Sequence, residues 1–327
     1  MRLTVFFIMI GSALSNASAQ DLIPYNKNEK FGLCDIHGKI KLEPQYNDIS
    51  FFKPKLNGYS IEKDGKFGLM NQALQTVISP LADQPIFGSG EHLIAKSGNE
   101  LIYYDKNYKE TQRRQLNTSA KESGLVYPAD YPQQSGYSRE EVLKMFKEKF
   151  GNKYKAVELN VVSANNTYFH IESFSEGKRK SEGLFLPKTK TFMLNDGQIS
   201  YQSAVWIPSK KCYYIKIKQG NDKGVITHDG KTVFESKQYS YLAVMPNYIA
   251  YTEPGTTTGT IAFYYMISSG KSIENEFSSF RYSTTVSDQG KEFEVFSAVV
   301  ENPDLHKSAQ VFIGENGMKY YDLDFVK

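Results

Sequence analysis

Two stretches near the start of the chain share one order of apolar and polar positions. Residues 30–35 read Lys-Phe-Gly-Leu-Cys-Asp, and residues 66–71 read Lys-Phe-Gly-Leu-Met-Asn. Each stretch continues into a turn, then an apolar pair, then a proline. Phe31 and Phe67 lie 36 residues apart, and a recurrence at this period is typical of a repeat architecture.

Within each copy, the pattern predicts short strands joined by tight turns. Residues 39–42 and 59–62 alternate polar and apolar side chains, as half-buried strands do. Residues 63–66, Lys-Asp-Gly-Lys, predict a hairpin turn. Pro44 cannot donate a hydrogen bond to a neighbouring strand, so we expect its strand to end there or to form an edge.

Weaker copies of the same pattern continue along the chain. The residues that match the first copy are 94–107, 223–231, 259–265 and 319–322. A unit of this size cannot bury its apolar face alone, and stacked neighbours can. The sequence therefore predicts a mainly β fold, an array of short antiparallel β-hairpin repeats that is either solenoid-like or propeller-like.

The middle of the chain departs from this pattern and predicts a helix. Ser138 and Glu141 form a capping-box pair, apolar residues follow at helical spacing up to residue 150, and Gly151 is placed as a C-cap. We interpret this region as a helix-containing insertion. The predicted division is a signal peptide at 1–19, N-terminal repeats at 20–126, a linker and helix/hairpin insertion at 127–200, and degenerate C-terminal repeats at 201–327.

The motif in residues 22–81 resembles the WG repeat family, with Phe31 and Phe67 in place of the tryptophan of that family. Phenylalanine keeps a large aromatic side chain but lacks the indole N–H, so any hydrogen bond made by that group would be missing here. The resemblance implies a β-rich repeat array. It implies a scaffold or a binding module and no reaction.

The first 19 residues read as a secretory signal peptide. Arg2 is followed by the apolar run 3–10 and by Ala-Ser-Ala at 17–19, so we expect cleavage before Gln20. The apolar run is shorter than the roughly 20 residues that span a bilayer. The sequence predicts export to the periplasm or outside the cell, with no membrane span.

Composition and motifs argue against most enzymes and against nucleic-acid binding. The net charge of +3 gives no basic face of the kind that nucleic acid requires. No nucleophile elbow, phosphate loop, dinucleotide fingerprint or HExxH motif occurs. Ser175 and Lys178 fit a Ser-x-x-Lys pattern, but they lie in a polar turn. We therefore expect no catalytic residues, no cofactor and no metal ligands.

Tyrosine pairs and two cysteines are the remaining candidates. The chain has 23 Tyr and 21 Phe, and neighbours on a strand point to opposite faces. One tyrosine of each pair would then point outward, which predicts a surface stripe of Tyr104, Tyr214, Tyr265 and Tyr321. An oxidising compartment leaves a disulfide between Cys34 and Cys212 open, against two separate buried thiols.

We expect a non-enzymatic binding module that holds a protein partner in the bacterial cell envelope. The high content of aromatic residues suggests an alternative hypothesis, a protein that binds glycan or peptidoglycan. A third is a hydrolase with its site in residues 138–200.

Overall fold

The computed structural model describes residues 21–116, 136–154, 157–164, 167–254 and 261–326. Within these ranges the chain forms seven β-sheets, one α-helix and four short 3-10 helices. The predicted signal peptide and most of the predicted linker lie outside the described residues. The structure confirms a mainly β fold that is built from an array of antiparallel hairpin repeats.

The elements follow one another in chain order. The first strands are β1 (Ile23–Lys27), β2 (Lys30–Cys34), β3 (Ile40–Tyr46), β4 (Asp48–Ile49), β5 (Gly58–Lys63), β6 (Lys66–Asn71), β7 (Thr76–Ala82), β8 (Phe87–Ser89), β9 (His92–Ser97), β10 (Glu100–Tyr104) and β11 (Glu110–Gln115). After them come α1 (Arg139–Phe150), β12 (Glu158–Ala164), β13 (Tyr168–Ser175), β14 (Lys178–Leu186), β15 (Thr191–Leu194), β16 (Ile199–Ile207), β17 (Cys212–Gln219), β18 (Asp222–Thr227) and β19 (Thr232–Lys237). The last are β20 (Leu242–Val244), β21 (Tyr248–Tyr251), β22 (Phe263–Met266), β23 (Ser272–Glu274), β24 (Ser279–Asp288), β25 (Lys291–Asn302), β26 (Lys307–Gly314) and β27 (Tyr321–Asp322). The 3-10 helices are Pro54–Leu56, Pro208–Lys210, Pro303–Leu305 and Asp324–Val326.

The sheets, named A to G, take their strands almost entirely from consecutive stretches of chain. Sheet A has the order β27-β1-β2-β3, and sheets B to F are β4-β5-β6-β7, β8-β9-β10-β11, β12-β13-β14-β15, β16-β17-β18-β19 and β20-β21-β22-β23. Sheet G has the three strands β24-β25-β26. Strand β27 pairs in parallel with β1, through Asn26–Tyr321 and Lys27–Asp322, and thereby completes sheet A.

The described chain divides into two compact units. The first contains residues 21–116, 277–314 and 318–326, and therefore sheets A, B, C and G. Its hydrophobic clusters lie between A and B, between B and C, and between A and G. The second contains residues 136–276 and 315–317, and therefore α1 and sheets D, E and F. Its clusters lie between α1 and D, between D and E, and between E and F.

The two copies that opened the sequence fold as equivalent sheets. Phe31 and Phe67 are each the second residue of their strand, and each is half-buried. In both sheets the register with the outer strand shifts just after this aromatic residue. Phe31 packs against the A–B cluster and Phe67 against the B–C cluster, so each contacts the cluster that its sheet shares with the next one. Phe31 also packs against the A–G cluster.

The glycine after each aromatic residue has a steric reason. A β-carbon at Gly32 would lie 2.2 Å from the Leu42 oxygen, and one at Gly68 would lie 2.6 Å from the Ile78 oxygen. The backbone of the outer strand leans over the glycine because its register shifts there. A β-carbon at Gly224 of sheet E would lie 2.6 Å from the Ser236 hydroxyl and 3.0 Å from the Phe234 backbone oxygen. Close backbone approach therefore accounts for the glycine of the repeat.

One turn recurs in four sheets. A side-chain oxygen at its first position accepts a hydrogen bond from the backbone N–H four residues on, and in two of the four turns it also accepts from the N–H two residues on. The pairs are Asp35 with Lys39, Asn71 with Gln75, Asp105 with Lys109 and Thr227 with Lys231, at 2.9 to 3.0 Å. The turn is thus encoded by a short polar residue at the end of the third strand.

The predicted helix is confirmed, together with its capping box. The Ser138 hydroxyl accepts from the Glu141 N–H at 3.1 Å, and the Glu141 carboxylate accepts from the Ser138 N–H at 2.7 Å. Gly151 is the C-cap, although its conformation is right-handed helical. The apolar residues Val142 and Phe146 are buried against sheet D. None of the described helices has the length and hydropathy needed to cross a membrane.

The predicted domain boundaries at 126 and 200 stay a prediction. The structure places a four-stranded sheet, D, within the segment that we interpreted as an insertion. It also places residues 277–314 and 318–326 in the same compact unit as the N-terminal sheets. Sheet D therefore follows the strand order of its neighbours, and α1 is the added element.

Candidate functional site

The four tyrosines predicted to form an outward stripe lie in different environments. Tyr104 is half-buried and packs against the B–C cluster, and Tyr321 is half-buried on β27. Tyr265 is half-buried against the E–F cluster. Tyr214 is only 8% exposed, so its assignment to an outward stripe was wrong.

The burial of Tyr214 follows from what covers its strand. Its neighbour Tyr213 packs into the cluster between sheets D and E, and Tyr214 packs into the cluster between E and F. Successive side chains of β17 therefore point to opposite faces as expected, but both faces are covered. Alternation predicts the direction of a side chain and does not predict whether that face is open.

The predicted site residue Tyr265 belongs to a group of rings that the sequence did not single out. We call the group the E–F aromatic cluster, and its members are Phe234, Tyr239, Tyr251, Phe263 and Tyr265. Phe234 of sheet E lies between two tyrosines of sheet F, with ring centroids 5.2 Å from Tyr251 and 5.0 Å from Tyr265. Both contacts are edge-to-face, the arrangement that aromatic rings favour.

Cross-strand pairing positions the rings of sheet F. Tyr251 and Phe263 face each other across β21 and β22, and their rings stack at 5.3 Å with 23° between the planes. The Tyr251 hydroxyl donates to the Ser272 hydroxyl at 3.1 Å. All members of the cluster except Tyr239 are half-buried, so parts of their rings reach the surface.

A hydrogen-bonded segment holds Tyr239 in the cluster. The buried Thr252 hydroxyl lies 2.8 Å from the Ser240 hydroxyl and accepts from the Tyr241 N–H at 3.0 Å. The Lys223 ammonium of β18 donates to the backbone oxygen of Tyr239 at 2.8 Å and to that of Ser240 at 3.1 Å. Burial raises the pKa of Tyr239, so its ring stays neutral at physiological pH.

Charged residues lie close to Tyr239, on the sheet E side of the aromatic cluster. Lys237 and Glu235 of β19 pair at 3.2 Å, and both are largely exposed. Lys216 is half-buried on β17, opposite Val225, and burial together with the like charge of Lys223 lowers its pKa. The surface therefore has an aromatic centre and a polar margin of both signs.

The two cysteines are free thiols, so the disulfide that the sequence left open is not formed in the structure. Cys34 is buried in the A–G cluster, where its thiol lies 3.6 Å from the Ile23 oxygen. Burial raises the pKa of Cys34 to about 12. Cys212 packs against the E–F cluster, and burial raises its pKa as well. Each thiol fills a place in its own hydrophobic cluster.

No metal-binding group was expected, and the described residues contain no cluster of three or more His, Cys, Asp or Glu side chains that could hold a metal ion. His37 lies in an exposed turn, with its Nε2 4.0 Å from Asp288. His228 is half-buried, and its ring lies 6.4 Å from that of Tyr213.

The aromatic cluster could be found from the sequence only in part. Tyr265 belongs to a Tyr-Tyr pair, and this is the signal by which we selected it. Phe234, Tyr251 and Phe263 are single aromatic residues in ordinary strand patterns. Their meeting depends on how sheet E packs on sheet F, which no local pattern encodes.

Comparison with known proteins gives only distant similarity. No protein-family model and no curated protein matches the chain. Among solved structures, the dihydro-heme d1 dehydrogenase NirN matches at 11% identity over 83% of this chain, with a TM-score of 0.25. The chain covers 53% of NirN, about half its length.

Two further structures match at a similar level. The Cps50 (Swd1) β-propeller domain of Myceliophteria thermophila is 8% identical, covers 90% of this chain and 99% of that one, and has a TM-score of 0.23. The periplasmic gluconolactonase PpgL of Pseudomonas aeruginosa is 10% identical, and the match covers 89% of this chain and 94% of PpgL with a TM-score of 0.20. At these TM-scores the similarities carry no conclusion about function.

Proposed function

We propose that the protein is an exported, WG-repeat-like binding module that holds a protein partner in the bacterial cell envelope. In this proposal the partner binds at the E–F aromatic cluster, and the chain carries out no reaction. The observation that carries the proposal is the mostly half-buried group of rings between two sheets, with the exposed Lys237–Glu235 ion pair close to Tyr239.

This arrangement matches the anatomy of protein–protein interfaces. Such interfaces have an aromatic or aliphatic centre and a polar margin, and Tyr is enriched among the residues that dominate binding. The rings share one hydrophobic cluster with the buried residues Ile249 and Tyr214, and the Thr252 hydrogen bonds hold the segment that follows Tyr239. A surface held in this way loses little conformational entropy when a partner binds.

Substitution of single rings tests the proposal. Tyr265→Ala and Phe263→Ala remove parts of the cluster, whereas Tyr248→Ala removes a half-buried ring from the opposite face of β21. Wild-type protein would be crosslinked in an envelope fraction, and the captured protein would then be purified for titration. We expect the two cluster variants to weaken its binding by about tenfold or more, with Tyr248→Ala close to wild type. Equal binding by all four proteins contradicts the proposal.

One observation favours a second candidate function, the binding of glycan or peptidoglycan. The Tyr251 and Phe263 rings are nearly parallel and half-buried, and flat aromatic faces can stack on sugar rings. Sedimentation with purified cell wall separates the two functions. Protein that pellets with cell wall, and does so less after Phe263→Ala, supports the glycan. Protein that stays in the supernatant favours the binding of a protein partner instead.

A further inference from the structure

A cleft in sheets D and E lies outside the E–F aromatic cluster. Its volume is about 290 Å³, and the side chains that line it include Lys180, Ser181, Asn195, Gln198, Ser200 and Lys218. Ligand pockets in proteins usually measure about 300–1,000 Å³. The cleft is therefore at the lower limit and suits a ligand of monosaccharide or dipeptide size.

Hydrogen bonds fix the floor of the cleft. The Asn195 side chain donates to the Ser181 oxygen at 2.8 Å and accepts from the Tyr201 N–H at 2.9 Å, so it ties β14 to β16. The Asp196 carboxylate accepts from the backbone N–H groups of Gln198 and Ile199 at 2.9 and 2.7 Å. These bonds lower the pKa of Asp196 and occupy its carboxylate within the turn.

The charged side chains that line the cleft are lysines. Of the described residues that line it, two are lysines and none carries a carboxylate. Lys180 lies 3.4 Å from the buried Glu182 carboxylate. Lys218 forms no ion pair with any described residue, and it stands directly opposite Lys223 in the register of β17 and β18. Like charges directly opposite each other on neighbouring strands are unfavourable, and a bound anion at Lys218 would offset that cost.

We propose that this cleft binds the carboxylate of a small ligand, which Lys218 and Lys180 pair with while the amide and hydroxyl groups contact its polar body. A hexuronic acid and the C-terminus of a short peptide both present this chemistry. Carboxylate recognition is favoured over that of a neutral ligand because both lysines line a space whose described lining has no acidic side chain.

Isothermal titration of the full chain with four compounds tests the proposal. Glucuronate and acetyl-dialanine carry the carboxylate, glucose and acetyl-dialanine amide lack it, and the protein is held at low ionic strength. We expect one carboxylate compound to bind while its neutral counterpart does not. Binding of glucuronate identifies the ligand as a hexuronic acid, and binding of acetyl-dialanine identifies it as a peptide C-terminus. Binding should weaken as salt is raised, because exposed charges are screened. Failure of both carboxylates to bind at about 10 mM overturns the proposal.

Variants locate the bound carboxylate. Lys218→Met and Lys180→Met should each weaken binding by about tenfold, the effect of losing one hydrogen bond to a charged group. Lys210→Met is the matched control, since Lys210 is an exposed lysine of the 3-10 helix between β16 and β17 and does not line the cleft. Circular dichroism checks that all variants are folded. Wild-type affinity in Lys218→Met, or equal binding of glucose and glucuronate, overturns the proposal.

Discussion

The glycine that follows the repeat aromatic can be tested by adding a single methyl group. A β-carbon at Gly32 would lie 2.2 Å from the Leu42 oxygen and 2.8 Å from the Pro44 nitrogen. At Gly68 the nearest atoms are the Ile78 oxygen at 2.6 Å and the Pro80 nitrogen at 2.8 Å. Both neighbours are backbone atoms, so relief requires a shift of the outer strand rather than a change of rotamer.

The size of that shift sets the expected loss of stability. Real β-carbons essentially never approach closer than 3.0 Å, so the strand must move about 0.8 Å at Gly32 (3.0 less 2.2) and 0.4 Å at Gly68 (3.0 less 2.6). Overpacking of this kind costs about 1–3 kcal/mol. We expect the free energy of unfolding to fall by about 3 kcal/mol in Gly32→Ala and about 2 kcal/mol in Gly68→Ala.

Two other glycines separate steric crowding from backbone conformation. Gly65 has φ of +73° and nothing near its β-carbon position, so Gly65→Ala should cost about 1 kcal/mol for the left-handed conformation alone. Gly136 has neither constraint, and Gly136→Ala should stay within about 0.5 kcal/mol of wild type. The expected order of destabilisation is therefore Gly32, Gly68, Gly65 and Gly136, from the largest effect to the smallest.

Urea denaturation followed by circular dichroism gives the overall effect. Hydrogen exchange measured by mass spectrometry, on peptides that cover residues 30–46 and 66–82, locates it in sheet A or sheet B. A loss of 2 kcal/mol corresponds to exchange about 30-fold faster where exchange requires opening of the sheet. The steric explanation fails if Gly32→Ala and Gly68→Ala both unfold like wild type, or if Gly65→Ala is the least stable of the series.

Three further predictions concern the helix, a turn and the thiols. Ser138→Ala removes the acceptor for the Glu141 N–H and should lower helix stability by about 1 kcal/mol, seen as faster hydrogen exchange in α1; unchanged exchange contradicts the capping role. Burial alone would raise the pKa of Asp35, but hydrogen bonds from the turn lower it overall. Its stabilisation is therefore present above the ordinary pKa of Asp, near 3.9, and is lost as pH falls through the lower folded value. In Asp35→Asn the free energy of unfolding should fall less steeply as pH is lowered than it does in wild type. The same acid dependence in both proteins refutes this. Cys34 should resist iodoacetamide at pH 8 in the folded protein while Cys212 reacts slowly, and both should react in urea without reductant. Absence of both thiols in urea would reveal a disulfide.

Local patterns predicted those features whose cause lies within one repeat. The Phe-Gly pair, the Asp-Gly hairpin turn and the capping box each act through neighbouring residues, so they could be read from the sequence. The positive φ values of Asp64 and Gly65, +53° and +73°, are those of the tight hairpin that residues 63–66 predicted.

Features that depend on packing between sheets could not be predicted in this way. Tyr214 was assigned to the surface because its strand alternates, but sheet F covers that face. The rings of Phe234 and Tyr251 come from different sheets, and their contact is set by the way the two sheets pack. The lysines of the cleft, Lys180 and Lys218, lie on β14 and β17 and are ordinary polar positions in the sequence.

The pairing of β27 with β1 has a consequence for the order of events in the nascent chain. Asn26 on β1 donates from its side chain to the Gln310 backbone oxygen, 284 residues later, and Asn26 and Lys27 pair with residues 321 and 322. Ribosomes add about 5–20 residues per second, so β1 waits roughly 15 to 60 s for these partners to be made. During that interval one edge of sheet A is unpaired, and the sheet is completed only when residues 321 and 322 have been made.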